Sequence, residues 1–271
     1  MSVQTLQRPG TTLPGLQDKV AVVTGAGSGI GRAAAMALAK QGVKVCLLDL
    51  LNERTEQVKQ ELAAMQAQAI TVDVDVSDPL RVKQAIDTAA GTWGRLDVVF
   101  ANAGINGVLA PIEDMKPEDW DHTLFVNLKG TFLWVKYAIP HMKQKGGSII
   151  VTSSINGSRV FSNIGMSAYS TSKAGQIAFA KMAALELARY KIRVNAVCPG
   201  SIKTHINQST HPSPELEKVK IKVEYPEGSQ PLEHAPGQPE QVADLVAFLA
   251  SDASSHITGT EIFIDGAESL I

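Results

Sequence analysis

Tyr169 and Lys173 stand four residues apart in the stretch SAYSTSKAG (167–175). On a helix that spacing puts both side chains on one face, one turn apart. A lysine ammonium beside a phenol favours the phenolate and lowers a tyrosine from its ordinary pKa of about 10. A general acid/base works best with a pKa near the operating pH, so the pair suits proton exchange with an alcohol oxygen. Taken alone, the same spacing is also ordinary helix surface, and its surroundings must decide.

A second group of residues points to a nucleotide. TGAGSGIG (24–31) sets Gly25, Gly29 and Gly31 at the spacing G-x-x-x-G-x-G, between an apolar run and a helical one. The first glycine allows a tight turn, and the others let backbone approach a pyrophosphate and helix pack on strand. Around Ser28, Gly29, Ile30 and Gly31 the helix start offers free N–H groups and its positive dipole end to phosphates. Asp49 ends the next apolar run, about twenty residues beyond the glycines. A carboxylate there accepts hydrogen bonds from the adenosine ribose hydroxyls and repels a 2′-phosphate. Position 28 is a serine, and Arg32, the nearest cation, lies inside the helix, so the pattern favours NAD over NADP. Asp75 and Val76 end a third run and are placed to touch the adenine; Asp75 could equally be a helix-cap partner.

The elements that must hold these residues alternate in type. Apolar, β-branched runs at 19–25, 43–50, 69–76, 96–104, 147–154, 192–200 and 261–266 read as strands. Helical patterns occupy 30–42, 53–66, 79–92, 117–145 (one long helix, with Pro140 near its end), 168–190 and 239–251. The alternation implies βαβ units and an α/β fold, a Rossmann-like doubly wound parallel sheet of about seven strands. The strands are apolar on both faces, as expected with helices covering each side. One domain, 18–271, is expected, preceded by a mobile arm at 1–17. The polar segment 205–238, rich in Pro, His, Glu and Ser, reads as a substrate lid.

Composition narrows the function. Of the 271 residues 44% are apolar and the formal net charge is −2, which fits a sizeable core and gives no basic surface for nucleic acid. The cysteines, Cys46 and Cys198, fall in strands, which fits a reducing cytoplasm rather than a disulfide framework. The first eighteen residues lack the apolar centre of a secretory signal, and no apolar run reaches membrane-spanning length. The six histidines show no metal-ligand spacing, so no metal is expected.

The ordered set TGAGSGIG, ANAG (101–104), Asn127, Ser153–Ser154, Tyr169-x-x-x-Lys173 and PGSIKT (199–204) resembles the single-domain branch of the short-chain dehydrogenases/reductases, from about 18 to 266. The resemblance implies alcohol–ketone interconversion by hydride transfer with a nicotinamide cofactor. In it Tyr169 is the acid/base, Lys173 lowers the Tyr169 pKa and binds the nicotinamide ribose, and Ser154 positions the substrate oxygen. Asn127, otherwise a polar residue satisfied inside the core, relays protons through water. Asn102, Ala103 and Gly104 shape the sheet beside the cofactor; Ala101 stands where the family has the first of two asparagines. Pro199, Gly200, Ile202 and Thr204 hold the nicotinamide end, or form a plain turn. Ser154 lies fifteen residues before Tyr169, two more than the common family spacing, which suggests a distinctive substrate-side loop. The pocket wall is expected at 105–111, 155–168 and 205–233, for a hydroxyl or keto compound such as a sugar, polyol, steroid-like or acyl substrate. The C-terminus resembles family tails that pack between subunits, so a homotetramer is expected. Two alternatives stand beside an NAD-linked dehydrogenase: an NADPH-dependent ketone or 3-oxoacyl reductase, and a catalytically silent nucleotide-binding regulator.

Overall fold

The computed structural model describes residues 12–219, 221, 223 and 228–271. Seven parallel strands form its central sheet: β1 (Val20–Thr24), β2 (Lys44–Asp49), β3 (Ala69–Asp73), β4 (Val98–Ala101), β6 (Gly147–Thr152), β7 (Ile192–Pro199) and β9 (Glu261–Ile264). Their spatial order is β3-β2-β1-β4-β6-β7-β9, so the order reverses between β1 and β4. Register there sets Val22 beside both Cys46 and Val99. Ligands in open α/β sheets sit at the carboxyl ends of the strands beside such a reversal. Thr24, Asp49, Ala101, Thr152 and Pro199 all end strands on that edge.

Alternation along each strand supplies both faces with apolar side chains. Val20, Val22, Cys46 and Leu48 enter one core layer, and Ala21, Val23, Val45 and Leu47 the other. The first layer is covered by α3 (Pro79–Trp93), α5 (Gly130–Met142) and α6 (Ser167–Leu187), and the second by α1 (Gly29–Lys40), α2 (Asn52–Ala64) and α7 (Pro239–Ala250). The α3 start is fixed locally: Asp78 accepts from the N–H groups of Leu80 and Arg81 at 2.8 and 3.1 Å, with Pro79 at the first helical position.

Three expectations need correction. The run 117–145 is not one regular helix: α4 (Pro117–Leu124) passes through a π-helical turn, Phe125–Lys129, into α5, which holds Pro140 and ends at Met142. The third and fourth strands are shorter than their apolar runs and end at Asp73 and Ala101; just beyond β4 the Asn102 N–H donates to the Thr24 side chain instead of a neighbouring backbone. Within the segment 205–238, read from sequence as a lid, β8 (Thr210–Pro212) pairs in parallel with β5 (Gly107–Leu109) as a separate two-stranded sheet. Of the expected arm, 1–11 lies outside the described residues. Its remainder is packed: Leu16 is wholly buried, and Leu13 N–H donates to Gln41 Oε1 at 2.8 Å.

Candidate active site

The nucleotide turn joins β1 to α1. Gly25 and Gly29 have φ of 66° and 50°, a region that favours glycine. A Cβ on Gly31 would lie 2.1 Å from the Gly25 carbonyl oxygen and 2.9 Å from Asn102 Nδ2, so this close packing admits only glycine. Ser28 starts α1 in extended geometry with no side-chain cap bond, and the first turn of α1 carries no acidic residue. The helix start thus keeps its amide donors and positive end for an anion. Asp49 Oδ2 accepts from Gly27 N–H at 3.1 Å, and its Oδ1 accepts from Leu50 N–H at 2.8 Å. The carboxylate is therefore fixed beside the turn. These features fit the dinucleotide part of a nicotinamide cofactor.

Two further residues matter here. Thr24 Oγ1 accepts from the N–H groups of Asn102 and Ala103 at 2.8 and 2.9 Å. Asn102 in turn donates from Nδ2 to the Thr24 carbonyl and accepts from Thr152 Oγ1, so ANAG ties three strand ends together. Arg54 lies over the turn: its Cβ is 2.6 Å from where a Cβ on Gly27 would be. Arg32, the cation singled out from sequence, instead pairs with Glu61 on α2. Nothing in the local pattern around Arg54 marks it, since its approach to Gly27 depends on how α2 packs.

Asp75 accepts from Ser77 N–H and Oγ at 2.8 and 2.7 Å, and Asp78, three residues on, is the α3 cap. Val76 packs where α5 begins, 3.2 Å from its main-chain oxygen to a Cβ built on Gly130. Thr204 overhangs the nucleotide turn, its Cγ2 at 3.1 Å from a Cβ built on Gly29. Ile202 bridges in parallel to Gly237, and Gly200 N–H donates to the Ile264 carbonyl at 3.1 Å, continuing the sheet beyond Pro199.

At the chemical end, α6 carries Tyr169 and Lys173 on its inward face, 8% and 3% exposed. The Lys173 ammonium lies 5.5 Å from the Tyr169 ring centroid and donates to the Thr152 carbonyl at 2.9 Å. Ser154 caps a short turn, its Oγ accepting from Asn156 N–H at 3.1 Å. Ser153 faces the other way and donates to the Lys173 carbonyl at 2.8 Å, pinning α6 to the end of β6. Gly157 backs onto the same stretch: a Cβ there would meet the Lys173 carbonyl carbon at 2.8 Å.

The electrostatics differ from the spacing argument. Burial pushes the Tyr169 phenol above its ordinary value, and a hydrogen bond with Ser154 opposes that rise. Burial also brings Lys173 down to about 8. Desolvation is the largest cause at each group, and among the described residues no carboxylate pairs with the lysine to oppose it. The thiols are raised by burial as well, Cys46 to about 12 and Cys198 to about 11, which keeps both protonated and unreactive.

Asn127 sits in the π-helical turn, fully buried. Its Nδ2 donates to the Ile105 carbonyl and to Ser172 Oγ at 2.9 and 3.0 Å, and its Oδ1 accepts from Ile105 N–H at 2.9 Å. The Asn127 carbonyl accepts from Thr131 Oγ1 and Gln176 Nε2 at 2.8 and 3.0 Å. A Cβ on Gly104 would stand 3.0 Å from Asn127 Oδ1 and 3.5 Å from Lys173 Nζ, so glycine lets the backbone approach both groups closely. No cluster of three potential metal ligands exists among the described residues, and no described helix is long and apolar enough to cross a membrane.

The comparisons with known proteins agree with this geometry. A family model described as enoyl-(acyl carrier protein) reductase matches residues 25–267. The chain is 39% identical to a cyclohexanol dehydrogenase of Acinetobacter sp. (strain SE19), over 92% of this chain and 94% of that one. It is 34% identical to a levodione reductase of Leifsonia aquatica, over 93% and 94% of the two chains. A crystal structure of a 3-ketoacyl-ACP reductase from Sinorhizobium meliloti 1021 superimposes with a TM-score of 0.89 at 48% identity, covering 93% of this chain and 99% of that chain. The strand-end constellation and these relatives together make the chain a member of the short-chain dehydrogenase/reductase family, oxidoreductases that use a nicotinamide cofactor on alcohol and ketone substrates.

Proposed function

We propose that the protein is an NAD-preferring dehydrogenase of a neutral, mainly apolar secondary alcohol and its ketone. The observation that carries the cofactor choice is Asp49, held at the nucleotide turn by Gly27 N–H at 3.1 Å. A carboxylate at that place accepts from ribose hydroxyls and disfavours a 2′-phosphate. For the substrate, a cavity of about 480 Å³ lies between the 110–113 and 161–170 segments, lined by Ala110, Pro111, Ile112, Phe161, Ile164 and Met166 among others. Glu113 is the one charged residue among the described lining residues, which favours a neutral substrate over an anionic one. The relative named for cyclohexanol, a cyclic secondary alcohol, points the same way.

The bound cofactor supplies the hydride acceptor or donor and, when oxidised, a positive charge. Tyr169 then exchanges the proton on the substrate oxygen, and Ser154, its hydrogen-bond partner, positions and polarises that oxygen. Lys173 holds a positive charge over the phenol and offers its remaining N–H groups to the nicotinamide ribose. The relay we assign to Asn127 runs past Oδ1, which lies beside Gly104 and toward Lys173; the main-chain carbonyl is already bonded to Thr131 and Gln176. Asn102, Ala103, Gly104, Pro199, Gly200, Ile202 and Thr204 shape the cofactor groove without taking part in proton transfer. The reading includes a homotetramer at work in the cytoplasm. An exposed apolar face between the 124–132 segment and α6, with Phe125 and Phe132 about half exposed, supports self-association.

A second reading, an NADPH-linked reductase of the oxoacyl type, is favoured by Arg54 beside Asp49 and by relatives named as acyl-carrier-protein reductases. Titration with NADH and NADPH, followed by nicotinamide fluorescence, separates the two. Tighter NADH binding upholds the first reading; tighter NADPH binding hands the protein to the second.

A further inference from the structure

The last seven residues, DGAESLI (265–271), touch three parts of the site. Glu268 Oε2 accepts from Ser201 N–H at 2.7 Å and from Gln230 Nε2 at 3.0 Å. Gln230, only 3% exposed, also donates to the Ser201 carbonyl at 2.6 Å. Gly200 packs against the tail so closely that a Cβ there would lie 2.6 Å from Glu268 Oε2. Leu232 N–H donates to the Gly266 carbonyl at 3.1 Å. On the other side Ser269 Oγ accepts from Arg159 Nη1 at 3.3 Å, and the Arg159 guanidinium lies 3.5 Å from the Phe263 ring centroid. The tail is itself shaped for this: Asp265 accepts from the N–H groups of Ala267 and Ser269 at 3.2 and 3.0 Å.

One carboxylate thus joins the loop after β7 to the base of the 205–238 segment, and its neighbour Ser269 joins both to the substrate-side loop that carries Arg159. Hydrogen bonds to a carboxylate are roughly twice as strong as neutral ones. The loop they hold begins at Pro199–Gly200, where glycine lets the backbone pack directly on Asp265 and Glu268 of the tail. The geometry points to Glu268 as a positioning residue: through Ser201 and Gln230 it sets the 199–204 backbone for the nicotinamide end of the cofactor and anchors the lid. The inference rests on the reading of 199–204 as the nicotinamide loop.

The test compares two probes on the full-length protein. NADH carries the nicotinamide; ADP-ribose carries the adenosine and both phosphates without it. In Glu268→Ala the Kd for NADH rises about tenfold, the loss of one charged hydrogen bond, while the Kd for ADP-ribose stays within about twofold of wild type. Glu268→Gln, which keeps an acceptor for Ser201 N–H, restores most of the NADH affinity. Gln230→Leu keeps a buried side chain and the bond from Ser201 N–H to Glu268 but removes the bonds from Gln230 to Glu268 and to the Ser201 carbonyl, and shows a smaller split in the same direction even if the alanine variant fails to fold. Equal weakening of both probes would make the tail a general structural brace and overturn the inference, as would unchanged NADH binding. A wild-type protein that binds NADH no more tightly than ADP-ribose would instead overturn the nicotinamide-loop reading beneath it.

Discussion

Replacing Lys173 by methionine should stabilise the protein while abolishing its chemistry. Lys173 is 3% exposed, and burial brings its ammonium from 10.5 down to about 8. That difference corresponds to about 3 kcal/mol against the folded, charged form. Below pH 8 the lysine is charged in both the folded and unfolded chain, and the folded state bears the whole penalty. Between 8 and 10.5 the unfolded chain keeps the proton and the folded one has released it, so the penalty fades as pH rises, to below about 1 kcal/mol at pH 10. Methionine, of similar length and uncharged, escapes the penalty but gives up the bond to the Thr152 carbonyl, worth about 1–2 kcal/mol. The net gain at pH 7 is then about 1–2 kcal/mol, or roughly 3–6 °C in Tm for a chain of this size. Thermal or urea unfolding of both proteins at pH 7 and pH 10 measures it, and the difference between them cancels the titration of every other group. The expected result is a more stable variant at pH 7 whose advantage disappears at pH 10. A variant no more stable than wild type at pH 7, or one with the same advantage at both pH values, would refute the claim that this lysine is held at an electrostatic cost.

Three further outcomes follow from the site. Tyr169→Phe should lower kcat by about 10²–10⁴ and leave the Kd for NADH unchanged, as befits loss of a proton donor alone; retained turnover would remove Tyr169 from the mechanism. Asp49→Asn should raise NADPH affinity about tenfold by relieving repulsion of the 2′-phosphate, and Arg54→Ala in that background should take the gain away. No change with either substitution would place the adenosine ribose elsewhere. Gly31→Ala should abolish NADH binding and cost roughly 2 kcal/mol of stability, because its Cβ meets the Gly25 carbonyl oxygen at 2.1 Å and backbone cannot give as a side chain can. A variant that binds NADH normally would show that the turn is more open than this packing.

Much of this arrangement is local in origin and therefore legible in the sequence. The glycines of the nucleotide turn, the carboxylate at the end of the second strand and the four-residue step from Tyr169 to Lys173 each depend on a few neighbouring residues. So do the seven apolar strands, whose burial on both faces needs only alternation. What escaped is what the fold brings together from afar. Thr24 and Asn102 are 78 residues apart, and no periodicity links the threonine hydroxyl to the ANAG backbone it accepts from. The π-helical turn is invisible for a similar reason: FVNLK has an ordinary helical composition, while Asn127 bonds Ile105, 22 residues back, and Gln176, 49 residues on. The pairing of β5 with β8 involves two three-residue stretches too short to show a pattern.

The sign of the Tyr169 shift teaches the same lesson in energy rather than position. A Coulombic argument needs only the distance between two charges, and spacing on a helix supplies that. Desolvation depends on every atom that excludes water, contributed here by β6, the 155–157 turn and the π-helical segment as well as by α6. Burial therefore raises the phenol and lowers the ammonium together, and leaves a site in which an added positive charge acts in surroundings of low polarity. The expectation that Lys173 lowers the Tyr169 pKa rests on proximity, whereas the enclosure that brings the two within 5.5 Å raises the phenol by burial. Which of the two prevails during turnover is set by the charge the cofactor brings, so the affinity for oxidised cofactor should depend on the protonation of Lys173 and weaken as pH falls through about 8. Isothermal titration with NAD across that range in wild type and in Lys173→Met decides it: a pH dependence present in wild type and absent from the variant supports the coupling, and parallel curves refute it.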